Sequence, residues 1–280
     1  MNDAPPESYE PLLRFLAHPV LSERPTRRLT AWRWFGWLSL MFLLGFAAGQ
    51  LDGLLAHWFG WRVAPDTFQT YLVTHPSIAA AAIVLVAPIL EELGYRSFLS
   101  TAPRPVFVGL AFFLCYTYLA LRLNIEHPSV RTAIPHYFDV FWALLPAAAV
   151  SLALYRYARE PVLAFFRRHG AAVFWVSCAL FGAEHAAVYS NSPAWWTVVL
   201  ALPQLLVGIG LAYIRVTFGL RWSIATHLAF DGIIVFGSWL YLITPRGSLP
   251  REAVQLVLLA LAVVILIYGL MVSWRVLRTR

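Results

Sequence analysis

Glu91 and Glu92 stand side by side at the end of an apolar run, Ile78 to Leu90, with Arg96 one turn further on. Charge is costly in such a place. An ionised side chain near the middle of a membrane helix costs about 3 kcal/mol on insertion scales and a leucine returns only about 0.5, so one carboxylate cancels roughly six leucines. On a helix Glu92 and Arg96 sit at i and i+4, the favoured order for an acid and a base to pair. Glu91 is rotated from them by about a quarter turn. It therefore has no partner in its own segment; the plainer reading of this stretch is an interfacial helix end with snorkelling charges.

Two further stretches carry chemistry-bearing residues. In Phe181-Gly182-Ala183-Glu184-His185 a histidine and another carboxylate interrupt an apolar segment, with Phe181 and His185 on one helical face and Glu184 pointing elsewhere. In His227-Leu228-Ala229-Phe230-Asp231 an imidazole and a carboxylate are stacked at i and i+4, a spacing that suits one metal ion or one water molecule. Plainer readings exist for each. A lone intramembrane histidine serves as a hydrogen bond between helices, His227 and Asp231 satisfy each other, and Glu184 is structural or protonated, paired with none of the other polar residues. Asp139 falls at a membrane edge, where water solvates it. Jointly, however, only His185 and His227 of the eight histidines lie well inside apolar spans, and the acids there are Glu91, Glu92, Glu184 and Asp231. A helix bundle turns such faces inward, away from lipid. The expected result is a polar cavity lined by Glu91, His185, His227 and Asp231.

The elements that must position these residues are membrane helices. Sixty per cent of the 280 residues are apolar and only 12% are charged, which places the chain outside the range of soluble domains and predicts an all-α, polytopic membrane protein. About eight stretches are long and apolar enough to cross a hydrocarbon core about 30 Å thick. They run from Trp32 to Gln50, Ile78 to Ser100, Pro105 to Leu123, Tyr137 to Tyr157, Ala171 to Tyr189, Trp195 to Arg215, Trp222 to Ile243 and Ala253 to Trp274. Residues 1–31 form a cytoplasmic N-terminal tail in which Tyr9 to Leu21 is either a short surface helix or disordered, and no cleavable leader is expected. Residues 32–280 form one membrane domain. Val162 to Phe166, between the fourth and fifth spans, is expected as a short interfacial helix.

All 21 basic residues are arginine, giving a net charge of +7. In a soluble chain that would suggest nucleic acid, but here the arginines collect in alternate loops, so the charge sets topology and no nucleic-acid partner is expected. Arg14, Arg24, Arg27, Arg28, Arg96, Arg104, Arg156, Arg159, Arg167, Arg168, Arg215, Arg221, Arg275, Arg278 and Arg280 lie on one side; the other loops hold Arg62, Arg122, Arg131, Arg246 and Arg251. The positive-inside rule then puts both termini in the cytoplasm, which requires an even number of crossings. Cys115 and Cys178 fall within apolar segments and match no metal or redox spacing.

Glu91-Glu92-x-x-x-Arg96, Phe181-x-x-x-His185 and His227-x-x-x-Asp231, on separate helices in that order, resemble the three motifs of the CPBP intramembrane proteases, which include CAAX prenyl endopeptidases and bacteriocin-processing or immunity proteins. The match spans Ala87 to Asp231, and Ala87-Pro88 and Gly219-Leu220 also resemble the family's context. The resemblance implies an eight-helix membrane fold with a cavity open towards the cytoplasm. It assigns the catalytic glutamate to Glu91, the two histidines to His185 and His227, and the final polar position to Asp231, with Glu92, Arg96 and Phe181 as structural support. This chain departs from the pattern at Ser97, where glycine is usual, and at Glu184, where the residue before the histidine is usually apolar.

Intramembrane peptide hydrolysis would then have Glu91, assisted by His185, deprotonate a water, and His227 with Asp231 support the tetrahedral intermediate. The cofactor is either none or a divalent metal such as zinc: Glu91, His185 and His227 are two histidines and a carboxylate, an established catalytic zinc set, but His-Glu-x-x-His is absent. The substrate class is a membrane protein, a prenylated protein or a peptide precursor, cleaved at the lipid bilayer. An all-arginine chain without a leader fits a bacterial inner membrane. Two other classes use the same residues: a proton- or ion-coupled transporter, against which no inverted hydropathy repeat is evident, and a catalytically idle immunity or scaffold protein.

Overall fold

The computed structural model describes residues 12–25, 29–60, 62–63, 74–126, 137–185, 189–190, 201–243 and isolated helical positions between 253 and 271. The chain is predominantly helical over these residues, with turns and bends at 18–25 and 97–102 and one two-residue antiparallel pairing. The elements are α1 (Leu12–Ala17), α2 (Ala31–Phe59), β1 (Arg62–Val63), α3 (Pro76–Arg96), α4 (Pro103–Glu126), α5 (Tyr137–Tyr157), α6 (Arg159–Arg168), α7 (Gly170–His185), β2 (Tyr189–Ser190), α8 (Leu202–Phe218) and α9 (Leu220–Ile243). Among the described residues, three helices are long and apolar enough to cross a membrane: α2, α3 and Leu220–Leu240 of α9. Phe46, Leu54, Trp58, Leu152 and Phe236 are exposed on outer faces, the arrangement expected where lipid replaces water.

Several boundaries differ from those expected. α2 continues nine residues past Gln50, because helix-forming residues persist until Gly60 takes a left-handed conformation (φ 67°) and its N–H caps Ala56 and His57. α7 ends at His185 rather than Tyr189, since Tyr189 pairs with Val63 in the short ladder. α3 stops at Arg96, four residues early. α5 has its expected bounds, and the short helix between α5 and α7 is present as α6, with Leu163 and Phe166 turned into the core. The expected first turns of the sixth span and most of the eighth fall outside the described residues.

α3 is not a uniform helix. Ala81–Val86 and Glu92–Arg96 are π turns flanking a short α segment, Ala87–Glu91. Pro88 has no N–H to donate and its ring crowds the carbonyl one turn back, so the wider turn ahead of it relieves both conflicts. The second π turn closes with Ser97 N–H on Glu92 O at 2.9 Å. It begins at the residue after Glu91 and so sets the angle between Glu91 and everything that follows.

The described part of the segment before α2 is docked on the bundle. Phe15 of α1 is 8% exposed and meets Phe174 of α7 and Tyr213 of α8 edge-on, with centroids 5.4 and 5.1 Å away. Ser22 O accepts from Ser100 Oγ (3.1 Å) and Thr101 N–H (3.2 Å), just beyond α3, while Pro25 packs on Gly219 between α8 and α9. One strap thus touches the ends of all four helices that carry or brace the polar residues. Phe15→Ala is expected to destabilise the fold by about 3 kcal/mol, the usual cost of emptying a buried phenylalanine site. Thermal unfolding in detergent checks this; an unchanged midpoint would mean the strap is not part of the folded core.

Candidate active site

α3, α7 and α9 bring Glu91, Glu92, Arg96, Phe181, His185, His227 and Asp231 into one cluster centred on the His227 ring. Glu92 Oε1 lies 3.1 Å from His227 Nδ1 and 3.3 Å from Arg96 Nη1, and its Oε2 accepts from the Ser223 hydroxyl. Both oxygens of Glu92 are therefore committed, and the residue is 0% exposed, as is Arg96. On the opposite edge of the ring, His227 Nε2 faces Glu91 Oε2 at 3.7 Å and Asp231 Oδ2 at 3.6 Å. Adjacent residues of one helix thus reach the same imidazole from its two sides.

The two glutamates differ in what they can do. Glu92 is held by a guanidinium, an imidazole and a hydroxyl, so it fixes the His227 ring and its Nδ1–H. Glu91 is 13% exposed, and its polar neighbour within 4 Å among the described residues is His227. Asp231, 23% exposed, completes the open side. A reacting group would enter between Glu91, Asp231 and His227 Nε2.

Phe181 separates the two imidazoles. Its centroid is 4.7 Å from the His185 ring and 5.8 Å from the His227 ring, and the Arg96 guanidinium lies over its face at 3.8 Å. The Nε and Nη2 atoms of Arg96 are buried with no hydrogen-bond partner among the described residues, so the π face of Phe181 is the main compensation for their lost water. Gly208 of α8 is required here. A Cβ would come within 2.8 Å of Phe181 Cδ1 and 3.3 Å of Arg96 Nη2, so only glycine lets α8 pass over the stack.

His185 is bonded back onto its own helix. Its Nδ1 lies 2.8 Å from Phe181 O and donates to that carbonyl, leaving Nε2 as the free nitrogen. It makes no hydrogen bond or ion pair to Glu91, His227 or Asp231 among the described residues; the imidazole beside Glu91 belongs to His227. Glu184, expected to pair with nothing, accepts the Tyr95 hydroxyl at 2.6 Å. Its partner is a phenol on another helix, which a search for opposite charge does not find.

Other residues brace the site without having been singled out. Arg215 of α8 donates Nε to Arg96 O and Nη2 to Ser97 O, both at 2.9 Å, and so braces the backbone where α3 ends. Ser177 of α7 donates to Tyr95 O. Ser223 had a usable signal, since Ser223, His227 and Asp231 form one stripe at four-residue spacing. Arg215 had none, because its charge counts equally well as a topology signal.

The expected metal set does not close. Among the described residues no group of three His, Cys, Asp or Glu side chains is disposed to hold a metal ion. Glu91 and His227 meet, with Asp231 on the same Nε2 edge of the ring, but His185 stands beyond Phe181.

No family model, curated protein or solved structure matches this chain.

Proposed function

We propose that the chain is an intramembrane endopeptidase of the CPBP type, a bundle of eight membrane-crossing helices with both termini in the cytoplasm of a bacterial cell. It hydrolyses a peptide bond of a membrane-associated protein or peptide precursor with a glutamate-activated water. The observation that carries this reading is the clasp on His227, with Glu92 on Nδ1 and with Glu91 and Asp231 beside Nε2. Three carboxylates around one imidazole, in a segment where each is costly, are hard to explain by stability alone.

Glu91 takes the proton of the attacking water. His227 Nε2, 3.7 Å from Glu91 Oε2, is the next carrier for that proton. Once protonated, His227 donates Nδ1–H to Glu92 and Nε2–H to the oxygen of the tetrahedral intermediate, with Asp231 balancing the charge; as the intermediate collapses and the C–N bond breaks, that Nε2 proton passes to the leaving amine. His185 lines the same cavity from the far side of Phe181 and offers Nε2 towards the substrate.

The test compares membrane peptidomes of cells producing the parent protein with those of cells producing Glu91→Ala. Specific fragments should disappear in the variant while their precursors accumulate. Identical peptidomes, with both proteins present in the membrane in equal amount, would sink the protease reading and turn attention to proton or ion transport.

A further inference from the structure

We propose that Tyr95 and Glu184 form a positioning tie, in which the Tyr95 hydroxyl holds the last turn of α7 and thereby sets the place of the His185 imidazole. This rests on reading the His227 cluster as a hydrolytic site with His185 in its wall.

His185 is the last residue of α7, and its Nδ1 is bonded to Phe181 O within the same turn. The ring therefore goes wherever that turn goes. Among the described residues no further turn of α7 follows His185 to hold it. Glu184, one residue earlier, leaves the helix about 100° away from His185 and spans the gap to α3, where the Tyr95 hydroxyl donates to its Oε2 at 2.6 Å. This is a short O–H···O hydrogen bond between two helices.

Tyr95 is a rigid anchor for such a tie. It is 7% exposed, its carbonyl accepts from Ser177, and its ring meets Phe113, Tyr116 and Phe181 edge-on with centroids 6.2, 5.8 and 5.9 Å away. It also lies on the helix that carries Glu91, so the bond fixes His185 relative to the reacting carboxylate. A leucine at position 184 would fill the gap at less cost, because an acid there must be desolvated. The role assigned to this part-buried pair is to fix the placement of α7 against α3. Glu184 is also where the chain departs from the CPBP pattern, so the tie belongs to this protein rather than to that pattern.

The substitutions separate the tie from packing. Tyr95→Phe removes one oxygen and keeps every ring contact; Glu184→Leu removes the acceptor; Glu184→Gln keeps a neutral acceptor. Full-length protein in lipid nanodiscs, labelled with 13C and 15N only at histidine, gives imidazole signals that His185→Asn and His227→Asn assign. The His185 signal should shift or split in Tyr95→Phe and in Glu184→Leu, equally in the double variant, and should return towards the parental position in Glu184→Gln. Cleavage of a detergent-solubilised membrane extract should fall by about tenfold in the first two, the scale expected for a displaced reacting group, and recover in the third. A parental His185 signal in both Tyr95→Phe and Glu184→Leu overturns the tie. If Tyr95→Phe does not fold, the two Glu184 variants make the same comparison. Should Glu91→Ala cleave as well as the parent, the hydrolytic reading fails, while the His185 signals still decide whether the tie exists.

Discussion

Arg96→Ala is expected to cost the fold about 3–5 kcal/mol, the range for removing one partner of a fully buried ion pair. An exposed pair would be worth about 1 kcal/mol or less. Glu92 and Arg96 are both 0% exposed, so the alanine variant strands a carboxylate in an apolar bundle with only His227 and Ser223 to hold it. It also uncovers the Phe181 face on which the guanidinium rests. The double variant Glu92→Ala/Arg96→Ala removes both desolvation costs and should be damaged by clearly less than the sum of the singles. The measurement is the folded fraction after graded heating in detergent, followed by size-exclusion chromatography. Strict additivity would show that the two side chains do not interact.

His227→Ala is expected to lower peptide cleavage by about 10²- to 10⁴-fold, the usual contribution of a positioned acid or base, while the protein stays in the membrane at the parental level. Among the described residues His227 touches Glu91, Glu92 and Asp231 together, so on the proposed mechanism its loss removes both the proton carrier and the donor to the oxyanion. Asp231→Asn should be milder, because the amide still offers a hydrogen bond beside Nε2. A His227→Ala variant that cleaves at the parental rate would remove the imidazole from the mechanism.

Much of the site was legible because its spacings are local. Glu92 and Arg96, Phe181 and His185, and His227 and Asp231 each sit four residues apart, and a helix alone puts such pairs on one face. Which imidazole meets Glu91 was not legible, because that depends on how α3 is rotated against α9. The rotation is set by the π turn over Glu92–Arg96, and no residue type announces such a turn. Glu92 was readable as the partner of Arg96 but not as the residue that holds His227 Nδ1, a bond that joins positions 135 residues apart in sequence. Arg215 was read as a loop charge, yet it is buried against the end of α3. Charge in a membrane protein serves topology and capping alike, and only the fold says which. The helices were legible from apolar runs, and their ends were not: Gly60 at the end of α2 and the Val63–Tyr189 pairing after α7 are decided by backbone conformation and long-range contact.

Hydrolysis has a signature that neither transport nor scaffolding shares, since the new carboxyl terminus takes one oxygen from solvent. The most direct measurement incubates the purified protein with a detergent-solubilised membrane extract in water enriched in oxygen-18 and reads new C-termini by mass spectrometry. The parent protein should produce a small set of fragments whose new C-termini carry one heavy oxygen, and Glu91→Ala should produce none above background. Fragments formed at the same rate and with the same label by Glu91→Ala, or no labelled fragments from the parent under conditions where its precursors are present, would contradict the account of Glu91 as the group that activates water.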